Sequence, residues 1–139
     1  MLTYAFYVRA WYDSQHYAIY SSPGIKTDSS PPETSRSYKV KELATPSSTA
    51  DVDFIDKADG LHVTWENVFR DAQSNISTYR VSLSTVRGGV NLFQSEEDVS
   101  VTSLYLPATL LEDTQYFVTV EAVNEAGLSR KAFSDGFQV

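Results

Sequence analysis

Residues 111–124 read LEDTQYFVTVEAVN. Apolar side chains fall at every second position, Tyr116, Val118, Val120 and Ala122, and place one apolar face along an extended chain. A period of two built from aromatic and β-branched residues is the pattern of a half-buried strand. Glu112-Asp113 before it and Asn124 to Gly127 after it are polar turn material.

The same period recurs on both sides. Leu61, Val63 and Trp65 face one way, with His62, Thr64 and Glu66 the other. Tyr79, Val81 and Leu83 alternate with Arg80, Ser82 and Ser84, and Thr102, Leu104 and Leu106 share a face that Pro107 closes. The last segment, 129–139, reads as one more extended run. Asp71 to Asn75 and Gly88-Gly89 supply further turns, and no segment sustains a helical stripe. Short strands at near-regular spacing with polar turns predict an all-β fold, an antiparallel two-sheet sandwich. Its expected core is Trp65, Tyr79, Val81, Leu104, Leu106, Tyr116, Val118 and Val120.

The chain also repeats itself. Residues 3–27 lie over residues 115–139 without a gap, at a constant offset of 112 positions. Tyr4 falls on Tyr116, Val8 on Val120, Ala10 on Ala122, Ser22 on Ser134 and Gly24 on Gly136. Phe6 meets Val118, so the alternating face Tyr4, Phe6, Val8, Ala10 matches the later one position by position. The expected organisation is therefore a hairpin over 1–27 equivalent to the last two strands of a preceding module, a Ser/Pro linker over 28–37, and a complete module over 38–139. Adjacent Pro31 and Pro32 make that linker an extended, semi-stiff connector. Met1 is read as a start inside a longer natural chain.

Composition removes several function classes. A formal charge of −7 repels nucleic acid and anionic lipid at long range. With no cysteine, disulfides, thiolate metal sites and thiol nucleophiles are all excluded. Apolar stretches fall far short of the roughly 18 residues a spanning helix needs, so no membrane insertion by this chain is expected. Arg9 and Asp13 interrupt the first twenty residues, which lack the pattern of a signal peptide.

Taken in order, Leu61-x-Val63-x-Trp65, then Ile76-x-x-Tyr79-x-Val81-x-Leu83, then Leu111-x-x-Thr114-x-Tyr116-x-Val118-x-Val120-x-Ala122-x-Asn124, then Gly127-x-Ser129 and Ser134, resemble a fibronectin type III domain. The likeness extends over nearly all of the second module, and it implies an immunoglobulin-like sandwich with Trp65 at the centre of its core. It also implies a tyrosine corner in which the Tyr116 hydroxyl bonds upstream backbone. The tandem copies of large extracellular and cell-surface proteins are the most similar. They carry a stretch like Phe69-x-Asp71-x-x-Ser74-x-Ile76-x-x-Tyr79 and a connector like Ser22-x-Gly24-Ile25-x-x-Asp28-Ser29-Ser30-Pro31-Pro32. A glycine usually precedes the isoleucine; this chain has Asn75, a residue that tolerates a left-handed turn.

Chemistry-bearing residues are sparse. Asn75-Ile76-Ser77 is a glycosylation sequon in an expected loop. Asp51, Asp53, Asp56 and Asp59 lack the spacing of a helix–loop–helix calcium loop and are read as a solvated strand edge, so no metal ligands and no cofactor are expected. His16 sits in a hairpin loop and His62 on a polar strand face, with no ligand or triad spacing around either. Glu96-Glu97 and Glu112-Asp113 lie in polar turns, where nothing tunes one carboxyl for proton transfer. No catalytic residues are expected, and the chain is not read as an enzyme. Arg87, Gly88, Asn124 and Glu125 stand in loops where a protein partner could dock.

These readings imply a non-catalytic spacer or interaction module of a larger extracellular or cell-surface protein, in adhesion or as part of a receptor ectodomain. A cytoplasmic scaffold module of a giant structural protein, or a spacer attached to a carbohydrate-active enzyme, is the alternative. For the hairpin, Tyr4, Phe6 and Val8 form an apolar face with nothing of its own to cover it, and Tyr7 and Trp11 crowd the other side. Residues 2–20 are therefore expected to self-associate or to be completed by a second polypeptide carrying the missing strands.

Overall fold

The alternation at 116–122 lies within a ten-residue strand around which the second half of the chain is arranged. The computed structural model describes residues 2–22, 24–56 and 58–139, with the backbone alone at Leu2, Thr3, Ile25 and Lys26; Met1, Pro23 and Lys57 lie outside the described residues. In chain order the strands are β1 (Leu2–Tyr4), β2 (Tyr7–Trp11), β3 (Tyr17–Ser21), β4 (Ile25–Thr27), β5 (Glu33–Thr34), β6 (Lys41–Leu43) and β7 (Gly60–Thr64). Then follow β8 (Phe69–Arg70), β9 (Ile76–Ser84), β10 (Phe93–Asp98), β11 (Ser103–Pro107), β12 (Gln115–Asn124), β13 (Ser129–Phe133) and β14 (Phe137–Gln138).

Two antiparallel sheets form the sandwich. One runs β11-β7-β6, the other β10-β9-β12-β13, with β14 pairing the start of β12. Leu61, Val63 and Leu106 from the first sheet meet Tyr79, Val81, Leu83, Val118, Val120 and Ala122 from the second in one buried cluster. Trp65 fills its centre, edge-on to Tyr79 with ring centroids 5.6 Å apart. Of the expected core, Leu104 is half-buried and packs against the cluster rather than within it. The backbone N–H of Leu111 donates to the Tyr116 hydroxyl, which forms the tyrosine corner.

Two expectations need correction. The segment 129–139 is not one run: it breaks after Phe133, and Gly136 at φ +96° turns the chain before β14. An added Cβ at Gly136 would stand 2.9 Å from Phe117 and 3.1 Å from the Tyr116 carbonyl, so a side chain would be strained in φ and would force its neighbours to shift. Nor does Asn75 use the left-handed conformation that its replacement of a glycine suggested; the described residues other than glycine with positive φ are Asn67 and Asp113. The irregularity falls instead on pairing, where Asn124 meets Ile76 after a register shift between Val123 and Asn124.

The linker is docked rather than free. Glu33 and Thr34 pair with Arg70 and Phe69, Pro32 is buried, and its carbonyl accepts from Arg130 Nε at 3.1 Å. The run after Asp51 is likewise fastened, because the Gln138 N–H donates to the Asp53 carbonyl and the Ile55 N–H to the Gln138 carbonyl. Phe54 there makes a short parallel bridge to Gln138 of the last strand.

Candidate functional site

The N-terminal hairpin reproduces the pairing of the module's last strands residue for residue. Tyr4 faces Ile25 as Tyr116 faces Phe137, and Tyr7 faces Ser21 as Thr119 faces Phe133. Both copies therefore carry the same one-residue register step. The same serine fills the step: Phe6 N–H donates to Ser22 Oγ at 3.0 Å, and Val118 N–H to Ser134 Oγ at 3.0 Å. In return the Ser22 N–H donates to the Phe6 carbonyl and the Ser134 N–H to the Val118 carbonyl. Gly24 at φ +91° matches Gly136. Environment is what differs. Tyr4, Phe6 and Val8 are 52%, 66% and 56% exposed, whereas Tyr116, Val118 and Val120 are 2%, 0% and 0% exposed. On the hairpin's other face Trp11 lies against Tyr17 with centroids 4.6 Å apart, and the Arg9 guanidinium caps Tyr17 at 4.6 Å.

A second constellation ties the hairpin's exit to the module. Asn124 is buried, and its Nδ2 donates to Asp28 Oδ2 (2.9 Å), Asp71 Oδ2 (3.0 Å) and the Ser30 carbonyl (3.0 Å). Its Oδ1 accepts the N–H groups of Ala126 and Leu128. Ser74 Oγ completes the knot by donating to Asp28 Oδ2 at 2.6 Å. Burial works against the Asp71 carboxylate, but the N–H groups of Ser74 and Gln73 and the Asn124 amide together hold its pKa below the usual value. Asn124, expected in a partner loop, is thus engaged inside the molecule. Glu125 beside it is exposed, its N–H donating to the Asn75 carbonyl. Arg87 is exposed and stacks over Phe133 at 5.0 Å, and Gly88 turns the chain at φ +81°. Asn75 itself is exposed.

A third grouping was hidden in the sequence. β6 carries Glu42 directly across from Val63, so the two share the core-facing side of the sheet. Glu42 is fully buried, and neither carboxylate oxygen has a hydrogen-bond partner. Its N–H donates to Asp51 Oδ1 at 3.0 Å. Burial, reinforced by Asp51, pushes the Glu42 carboxyl up to about 8, and the Ser134 hydroxyl, which lies nearby without forming a hydrogen bond to either oxygen, offsets this only in part. Asp135, in the bend before β14, is raised as well, by burial and by Asp51, with Lys39 opposing. Oxygen atoms of Glu42, Asp51 and Asp135 lie within 4.8 Å of one another. Asp51 meets carboxylates that are distant in sequence rather than its neighbours Asp53, Asp56 and Asp59. The usable signal was the parity of Val40 and Glu42, which puts a charged residue where an apolar one belongs.

His16 bonds Asp13 within the exposed hairpin loop, and His62 stacks on Tyr105. Neither stands beside a nucleophile among the described residues. No described helix is long and apolar enough to cross a membrane. No curated protein and no solved structure matches the chain. Residues 44–135 match the family profile of the fibronectin type III domain, a span that holds Trp65, the tyrosine corner and every strand of the two sheets from β7 to β13, with β6 just before it and β14 just after it. That span is more than half of the chain, which therefore belongs to the fibronectin type III family.

Proposed function

We propose that this chain is a spacing and protein-interaction segment of a larger extracellular or cell-surface protein, built from tandem fibronectin type III modules. The observation that carries the reading is the hairpin: it has the register, the bridging serine and the turning glycine of the module's own last two strands. A face that is sealed core in one copy and bare in the other calls for the remaining strands of a second sandwich. That face is therefore the surface through which this chain by itself associates, with an identical edge or with a polypeptide that carries such strands. The Asn124 knot gives the spacing role a mechanism, because it pins Asp28 and Ser30 and so limits the swing between hairpin and module.

Sedimentation of the full chain and of a chain beginning at residue 29 tests the association. Concentration-dependent mass in the first and a monomer in the second supports it, and a monomer in both rejects it. Compartment is tested separately by expression in a secretory host. A glycosidase-sensitive gel shift that Asn75→Gln abolishes supports the extracellular reading. Secretion without the shift turns the balance toward a cytoplasmic scaffold or a spacer beside a carbohydrate-active enzyme.

A further inference from the structure

Glu42, Asp51 and Asp135 reach one place from three separate parts of the chain: a strand, the loop after it, and the bend before the last strand. Proximity of acids alone says little, since exposed acidic groups gather without function. Glu42 is different in kind. It is fully removed from solvent, both of its oxygens lack a hydrogen-bond partner, and it belongs to the cluster through those oxygens. A buried carboxylate is normally paired, hydrogen-bonded or coordinated to a metal. Among the described residues, none of the three carboxylates forms an ion pair, and the Lys39 charge acts on Asp135 without bonding it. Asp51 is also held in place, since its Oδ1 accepts the N–H of Glu42 itself.

The geometry points to a divalent-cation site, selective for Ca²⁺, formed by the carboxylates of Glu42, Asp51 and Asp135. All donors are hard oxygens; the chain has no cysteine, and neither histidine belongs to the group, which disfavours zinc and copper. Oxygens bound to one Ca²⁺ at about 2.3–2.6 Å stand up to about 5 Å apart, so a spread within 4.8 Å lets a single ion touch all three. Asp51 and Asp135 are exposed, which leaves the outer coordination positions open to water. Mg²⁺ holds its waters more tightly and demands stricter octahedral geometry, so it competes poorly here. With three protein side chains as ligands, the affinity falls in the range of extracellular modules, about 10⁻⁴–10⁻³ M. Bound there, the ion joins the first strand of the sandwich to the bend before its last.

The full chain, stripped with a chelator, is tested by equilibrium dialysis against CaCl₂ and by thermal melts near neutral pH with and without about 5 mM Ca²⁺ or Mg²⁺. The expected result is one Ca²⁺ per chain and a melting temperature raised by about 5 °C, with a smaller response to Mg²⁺. Asp51→Asn and Asp135→Asn, both at exposed positions, fold and lose at least about tenfold in affinity, together with most of the shift. Glu42→Gln melts at or above the parent temperature in chelator and gains nothing from Ca²⁺. Absence of both binding and shift in the parent overturns the site and leaves a proton-sharing carboxyl cluster. A shift that survives intact in Asp51→Asn or Asp135→Asn also overturns it, because the ion then sits elsewhere on the acidic surface.

Discussion

The Tyr116 hydroxyl accepts a 2.7 Å hydrogen bond from the backbone N–H of Leu111, five residues upstream. Tyr116 is otherwise buried, its ring stacked on Phe137 with centroids 5.5 Å apart. The bond therefore fixes the loop that enters β12 against the strand that closes the sandwich. Tyr116→Phe keeps the ring and removes only the acceptor. The expected loss is about 1–2 kcal/mol in chemical denaturation with an unchanged slope, the cost of leaving one partly buried N–H unpaired.

Trp65 occupies the centre of the core with almost no exposed surface, touching Tyr79 edge-on. Trp65→Ala removes that contact and opens a cavity the strands cannot close, for an expected cost of about 3–5 kcal/mol. A melt indistinguishable from the parent would show that the core is organised around something else.

Asn124 predicts a different kind of loss. Its amide makes three donor contacts to the linker and to Asp71, and its carbonyl serves two N–H groups of the following turn. Asn124→Ala strands all of these partners and is expected to cost about 2–3 kcal/mol. Asp28→Ala cuts the linker contacts alone. It should leave the melt nearly unchanged while hydrogen exchange or proteolysis over residues 28–34 speeds up, since local release and global unfolding are separate events.

What the sequence made legible was whatever depended on period and order. Tyr116 to Ala122, Leu61 to Thr64 and Tyr79 to Leu83 lie on the strands their alternation indicates, with Trp65 one residue past the end of β7, because one-sided burial leaves a period of two. The 112-position repeat was legible for the same reason. Contacts between separate elements were not. Asn124 sits in what reads as an ordinary turn, and nothing near it in sequence announces Asp28 or Asp71. Glu42, Asp51 and Asp135 meet only because β6 and the bend before β14 lie together, a relation that no local window contains.

Glu42 makes stability depend on pH in a definite direction when chelator is present. Its carboxyl is raised to about 8 in the folded protein, from an ordinary value near 4.5. Between those two values the folded chain holds a proton that the unfolded chain releases. Stability is therefore full below the lower value and falls as pH rises through the window toward 8. Melting temperatures in chelator should decline from pH 5 to pH 8, and Glu42→Gln should flatten that decline. An equal decline in parent and variant assigns the dependence to other groups.

Ser22 and Ser134 provide the last prediction, because they make the same bond in two settings. Each Oγ accepts a strand N–H at 3.0 Å across the one-residue step. Around Ser134 the step is buried, so Ser134→Ala leaves the Val118 N–H without a partner or water, at an expected cost of about 1–3 kcal/mol to the melt. Around Ser22 the strands are exposed, and water replaces the lost acceptor. Ser22→Ala should therefore leave the melt of the isolated module unmoved. If the hairpin is the end of a sandwich completed by another chain, the Ser22 step becomes buried on association. Ser22→Ala should then weaken that association several-fold in sedimentation, although the side chain need not touch the partner. A variant silent in the melt and also silent in association would mean that the hairpin's bare face stays in water, and that its likeness to β12 and β13 is structural without being used.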